Sequence, residues 1–338
     1  MHRKTAAAVV LDLFLVQLAL LILSGYYYGI RVLILALIAS GTCLALDAVC
    51  LHLRNQPIWS GDLPGFARER KMKLAMIRNF RSFDGRADVP QAGEVAAFAG
   101  KKFRQKQCFA AIIIGKALFG GRVNLLFPPA AVGYTFSILA FGTELLQFPQ
   151  PYTALPLGNQ IDAAYTMSAS AQFHANRMID LSDKLLLGAL PGPMGTGCIL
   201  LLTVGVFILI ARRSVAISTL VTFLLEYLLM SLLAGSDFDY MIKLLGCNMT
   251  LFGAVFLIAD QRIAPKSLGG ILYGFLAAIL SMYLTTFAEI EYAVVITAIL
   301  LSPLAQFLKS QSWQMEYARR RQQYRRTHRE QEVEQHER

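Results

Sequence analysis

The chain has 338 residues, of which 55% are hydrophobic and only 16% charged, against roughly 25% charged in soluble domains; its mean hydropathy is +0.48. Several apolar runs reach the length of about 18 to 20 residues that crosses a bilayer. The net charge of +10 is packed into a few segments, so it marks the cytoplasmic side of a membrane protein rather than a surface for nucleic acid.

In chain order, residues 1–53 read as two membrane helices, near 6–25 and 30–52. The start, Met1-His2-Arg3-Lys4, resembles that of a signal peptide. No small-residue cleavage site follows and a second span comes at once, so the first helix is expected to be retained. Residues 54–106 form a basic insertion with twelve Lys or Arg. Within it, FARERKMKLAMIRNF places Phe66, Met72, Leu74, Met76, Ile77 and Phe80 among basic residues. This is either a helix lying on the cytoplasmic face or an ordinary solvated helix packed on the bundle.

Residues 107–308 read as the membrane bundle, with an outer loop at 143–184. Apolar runs lie near 107–142, 185–211, 214–233, 238–259, 267–287 and 290–308. Residues 309–338 are a charged tail. An N-terminus inside puts 54–106, the Arg212-Arg213 turn, the 260–266 loop and the tail in the cytoplasm, and 143–184 outside. The protein is therefore expected in the cell membrane, multi-pass, with both termini cytoplasmic.

Two segments break the apolar pattern. GKALFGGRVNLLFPPAAVGY, residues 115–134, carries Gly120, Gly121, Asn124, Pro128 and Pro129. LGALPGPMGTGCILLL, residues 187–202, carries Pro191, Gly192, Pro193, Gly195 and Gly197. Broken backbone is tolerated at membrane depth only under cover of protein or a wet cavity. One broken segment in each half points to a binding site between them, where half-helix N-termini suit an anion such as a flavin phosphate. The alternative is a pair of kinked structural helices.

Glu226, in TFLLEYLLM, sits near the middle of its run and is a candidate for an ion or proton pathway. The alternative is a bundle-facing hydrogen bond. Asp12 and Asp47 lie nearer helix ends and are expected at the interface. Asp237, Asp239, Glu289 and Glu291 read as solvated loop acids. The five cysteines, Cys43, Cys50, Cys108, Cys198 and Cys247, form no CxxC pair. They read as small apolar fillers, and no metal site is expected. No catalytic residue can be named.

Three segments, in matching order, resemble the RnfD/NqrB family. In KALFGGRVNLLFPPAAVGY the matching positions are Lys116, Phe119, Gly120, Gly121, Asn124, Phe127, Pro129, Ala130, Gly133 and Tyr134, with Pro128 where the family has Asn. LPGPMGTG is similar to the family's Gly-Ser-x-Gly-Glu stretch, with Thr196 in the Glu position. LFGAVFLIADQ is similar to Phe-Met-Ala-Thr-Asp-Pro, with Asp260 matching and Gln261 in place of Pro.

The resemblance implies an all-α polytopic membrane protein of about eight to ten spans, with two broken helices and an internal repeat. Eight or nine spans are expected, because the basic 54–106 stretch stands where relatives place an apolar third helix. It also implies a membrane subunit of an Rnf- or Nqr-like complex that couples electron transfer to ion movement, with other subunits and the lipid bilayer as partners. Asp260 then becomes a second ion-pathway candidate.

The family further implies FMN esterified on the outer face in an Asp-x-x-Ser-Gly-Ala-Thr motif. The matching stretch is DAAYTMSA, where Asp162 fits and Ser168 holds the acceptor position, while Tyr165, Thr166 and Met167 replace Ser, Gly and Ala. Two alternatives stand beside the electron-transfer subunit: a flavin-free structural subunit of such a complex, and a solute permease using the broken-helix cavity.

Overall fold

The computed structural model describes residues 6–53, 111, 114–115, 126–152, 165–176, 183–193, 195–235, 238–266 and 268–311. The basic insertion, Gly120, Gly121, Asn124, Asp162 and the end of the tail lie outside the described residues.

Helices α1 (Ala6–Tyr28) and α2 (Ile30–Leu53) follow one another across Gly29. Apart from Asp12 and Gln17 the long side chains of α1 are apolar on both its buried and its exposed faces, as suits a helix with protein on one side and lipid on the other. Val9, Leu13, Val16 and Leu20 are buried at helical spacing, while Leu11, Phe14, Leu15, Leu18 and Ile22 are exposed. α3 (Pro129–Leu145) opens with a proline at its first helical position, where a missing N–H costs nothing. Gly115 lies against it: a Cβ there would come within 2.8 Å of the Pro129 Cα.

A two-stranded antiparallel sheet follows, β1 (Gln147–Pro149) on β2 (Tyr165–Met167), with Phe148 opposite Thr166. Then come α4 (Ala169–Asn176), α5 (Asp183–Leu187), α6 (Ile199–Ala211), α7 (Ile217–Gly235) and α8 (Phe238–Cys247). They are followed by α9 (Thr250–Ile258), α10 (Leu268–Thr286), α11 (Ala293–Leu300) and α12 (Ser302–Gln311). The last turn of α9, Ala254–Ile258, is wound as a π-helix.

Three of these helices are long and apolar enough to cross a membrane: α1 from Ala8, α7 from Ile217 to Ala234, and α10. The bent pairs α8/α9, at 66°, and α11/α12, at 45°, raise the number to five if each is one span. Shorter apolar helices lie at Val32–Leu46, Pro129–Gly142 and Ile199–Ala211. The chain is an all-α polytopic membrane protein. The runs 238–259 and 290–308 look continuous in sequence, but the structure bends them, at Asn248-Met249 and at Leu301.

The centre of the bundle is the α7–α10 pair. Gly270 and Gly274 are one turn apart on α10, and a Cβ at Gly274 would stand 2.6 Å from the Thr219 carbonyl oxygen. Where no water is released to drive association, membrane helices gain from this kind of close backbone approach through small residues. Phe223 and Tyr227 of α7 and Tyr273, Ala277 and Ala278 of α10 are fully buried along the seam.

Two ends of the bundle are distinct. At one end, Arg212 pairs with Asp12 at 2.8 Å, and Ser214 donates to the same carboxylate. Asp12 is thus buried and paired near the start of α1, because α1 runs alongside α6 and meets the arginine at its end. The other end holds β1, β2, α4 and the turn from Phe287 to Tyr292.

Candidate functional site

The second break in the sequence forms the turn between α5 and α6. Gly188 ends α5 at φ +78, and a Cβ there would lie 2.6 Å from the Cys198 backbone nitrogen, so the turn closes on itself only with glycine. Cys198 caps α6, its Sγ accepting from the Leu201 N–H at 3.5 Å. Gly195, at φ +82, faces the Ser24 hydroxyl of α1.

The carbonyls released by the break find donors on neighbouring elements. Tyr27 OH donates to the Leu187 carbonyl at 3.1 Å, and Tyr28 OH to that of Leu190 at 3.0 Å. The Ala169 N–H donates to Pro191 O at 2.6 Å, and Thr196 Oγ1 to Pro193 O at 2.7 Å. A cavity of about 30 Å³ remains, lined by Ser24, Tyr27, Tyr28, Gly192, Gly195 and Cys198 among others. That is room for a water or two, far short of a flavin ring.

Ala169 lines the same cavity, so the structure brings Ser168 to the edge of the site that holds Gly192 and Gly195. Ser168 is only 1% exposed. It donates its hydroxyl to the Glu291 carboxylate, and its Oγ accepts from the Ala171 N–H at 3.0 Å, capping α4. Glu291 is therefore not a solvated loop acid: the turn before α11 folds back onto α4. Burial pushes its carboxyl above the ordinary glutamate range, partly offset by hydrogen bonds from Ser168 and the Ala171 N–H. Tyr134 and Tyr292 meet edge to face at 6.4 Å, and Tyr134 lies close enough to Glu291 to be coupled to it electrostatically.

This setting does not fit an esterified flavin phosphate. The hydroxyl is enclosed and bonded on both sides, and a phosphodiester there would set a second negative charge against Glu291. Two residues further on, Ser170 donates to the buried amide oxygen of Asn248, at the corner between α8 and α9. Thr250 donates to Tyr227 OH at 3.2 Å beside it.

The two acidic candidates lie apart. Asp260 sits in the loop after α9 at the Arg212 end. Arg262 Nε reaches both of its carboxylate oxygens, at 3.1 and 2.9 Å, and Nη2 reaches Oδ2 at 2.6 Å. Its Oδ1 also accepts the Arg262 N–H at 2.9 Å. The carboxylate is committed to holding that loop. Glu226 lies at the centre of α7, 8% exposed, and the structure does not bring it to Asp260.

Sequence reasoning did not identify Glu291, Asn248, Tyr27 or Tyr28 as parts of the site. The Tyr26-Tyr27-Tyr28 run before Gly29 was the available signal for the last two, since tyrosine hydroxyls at a helix end can serve freed carbonyls. Among the described residues, no group of three or more His, Cys, Asp or Glu could hold a metal ion.

Residues 106–311 match the model of the NQR2, RnfD, RnfE family. Three similar proteins are each named as a subunit of an ion-translocating oxidoreductase complex. The one from Halorhodospira halophila is 26% identical over 56% of this chain and 56% of its own length. The one from Erwinia tasmaniensis is 28% identical over 44% and 38%, and the one from Rhodobacter capsulatus 27% identical over 48% and 53%. The alignments thus span about half the length, or less, of these relatives.

Proposed function

Because the chain belongs to the NQR2, RnfD, RnfE family, we propose that it is a membrane subunit of an ion-translocating oxidoreductase complex and works alongside other subunits in the bilayer. The observation that carries this is the family match itself, which takes in every described helix from α3 to α12. The name shared by the three relatives points the same way. In this reading Glu226 belongs to the ion pathway, because an ionisable group at the middle of a membrane helix is kept there for function more often than for packing. Asp260 is the second candidate for that pathway, and its bond to Arg262 suits it to hold the loop at the pathway's end.

Within such a complex we favour a subunit without covalent flavin. The enclosed Ser168 hydroxyl and its bond to Glu291 support this. We also propose that the Arg212 end faces the cytoplasm, together with both termini. Arg212, Arg213, Arg262, Lys266 and Lys309 gather there, while Asp239, Glu289 and Glu291 lie toward the other end.

The test is purification of the tagged chain from native membranes in mild detergent. Stoichiometric recovery of further redox subunits is the expected result. A chain recovered alone that takes up a solute after reconstitution would replace this reading with the permease. For orientation, a cysteine placed at Gln172 should react with an impermeant reagent on intact cells and one at Arg78 should not. The reverse pattern would invert the topology.

A further inference from the structure

Glu226 has nine residues of α7 before it and nine after (217–225 and 227–235), so its Cα lies about 13 Å from either helix end. It is nine-tenths buried. Among the described residues no hydrogen bond or ion pair reaches its carboxyl group.

Three hydroxyls of α7 are engaged elsewhere. Thr222 Oγ1 donates to Ser218 O at 2.8 Å, and Ser231 Oγ donates to Leu228 O at 2.8 Å. Tyr227 OH accepts from Thr250. The elements packed against α7 are α8, α9 and α10. On α8 the charged groups are Asp239 and Lys243, which pair with each other; its Tyr240 packs on Phe173, and its Cys247 is a buried thiol. α9 carries no titratable group, and α10 carries only Tyr273 and Tyr283.

This environment separates two kinds of cation. A metal ion such as Na⁺ gives up its water only where several oxygens replace it together. Glu226 offers one carboxyl group on an unbroken helix whose own carbonyls serve the helix. Among the described residues, the carbonyls freed at the α5–α6 turn are already used by tyrosine and threonine hydroxyls and an N–H group. A proton needs a single oxygen. It also removes the charge that makes an unpaired carboxylate costly at this depth.

We propose that Glu226 is a proton-carrying carboxyl group, so that the cation handled at the middle of this bundle is H⁺ and not Na⁺. The inference rests on the ion-pathway reading of Glu226 given above for its functional meaning. An O–H bond forms on one carboxylate oxygen when the proton arrives and breaks when it leaves, and the residue alternates between neutral and charged without other chemistry.

A lipid-soluble carbodiimide tests it, because the reagent adds to protonated carboxyl groups from within the membrane. Native membranes holding the whole chain are treated across a pH series, with and without Na⁺, and the Glu226 peptide is weighed by mass spectrometry. Glu226 is expected to be labelled, less so as pH rises, and equally with or without Na⁺. Glu226→Gln should abolish the label while the chain still elutes as the parent does in size exclusion. Protection by Na⁺, labelling indifferent to pH, or no labelling at any pH would each overturn the proposal. The readout comes from the chain whether or not other subunits co-purify, so failure here and failure of the subunit assignment are separate results.

Discussion

Ser168 gives its hydroxyl proton to Glu291, 123 residues further along the chain, and so ties the start of α4 to the turn between α10 and α11. The flavin-free reading proposed above makes this latch structural. The peptide containing Ser168 is expected to have the mass of the bare sequence, even from cells expressing an active flavin transferase. An added FMN phosphate on that peptide, lost in Ser168→Ala, would refute the latch. Ser168→Ala itself should cost about 1 kcal/mol of stability through loss of the α4 cap.

The same pair sets a pH dependence. The folded Glu291 carboxyl titrates above an ordinary glutamate because it is half-buried, so the folded state holds its proton more tightly than the unfolded chain does. The contribution is therefore fully present below the ordinary glutamate value of about 4.3. It is lost as pH rises through the raised one. Glu291→Gln keeps an acceptor for Ser168 and cannot ionise. Melting curves of the detergent-solubilised protein should fall with pH across that window in the parent and stay flatter in the variant. Parallel curves would remove Glu291 as the cause.

Two glycines of one turn should respond in opposite ways. Gly188 has a positive φ and no room for a Cβ against Cys198, whereas a Cβ at Gly192 would meet nothing within 4 Å. Gly188→Ala should lower yield and thermal stability, with a cost above about 1 kcal/mol. Gly192→Ala should match the parent. Equal behaviour of the two variants in a thermal melt would show that the turn is not closed as described.

The α7–α10 seam can be probed by a single methyl. Gly274→Ala puts a Cβ 2.6 Å from the Thr219 carbonyl oxygen, which is backbone and cannot swing aside. The expected loss is about 1–3 kcal/mol, read from detergent melts. Ala278→Gly on the same face serves as a control that removes volume instead of adding it. A Gly274→Ala protein as stable as the parent would mean that the helices stand further apart.

What the sequence revealed and what it hid follow from the same physics. The α5–α6 break was legible because Pro and Gly in an apolar run have few other uses. Membership of the family was legible because three motifs occur in order. The α8–α9 corner was not, since Asn248 and Met249 are neither glycine nor proline. That bend depends on partners from distant segments: Ser170 on the Asn248 oxygen, and Tyr227 beside Thr250. Glu291 was misjudged for a similar reason. In FAEIEYA it looks like any acid beside a helix end, and only the return of the 165–171 segment buries it. Glu226 was legible as a group out of place, but its isolation is a property of the folded bundle.

The glycine seam also decides where this molecule can bend. Slipping α10 by one turn, about 5.4 Å, in one direction would drive the Ala278 methyl into the Thr219 carbonyl. Slipping it the other way would drag the loop that Asp260 and Arg262 pin in place. The two helices form a strut, and the corners at Asn248 and Leu301, where two spans are already bent, are the joints beside it.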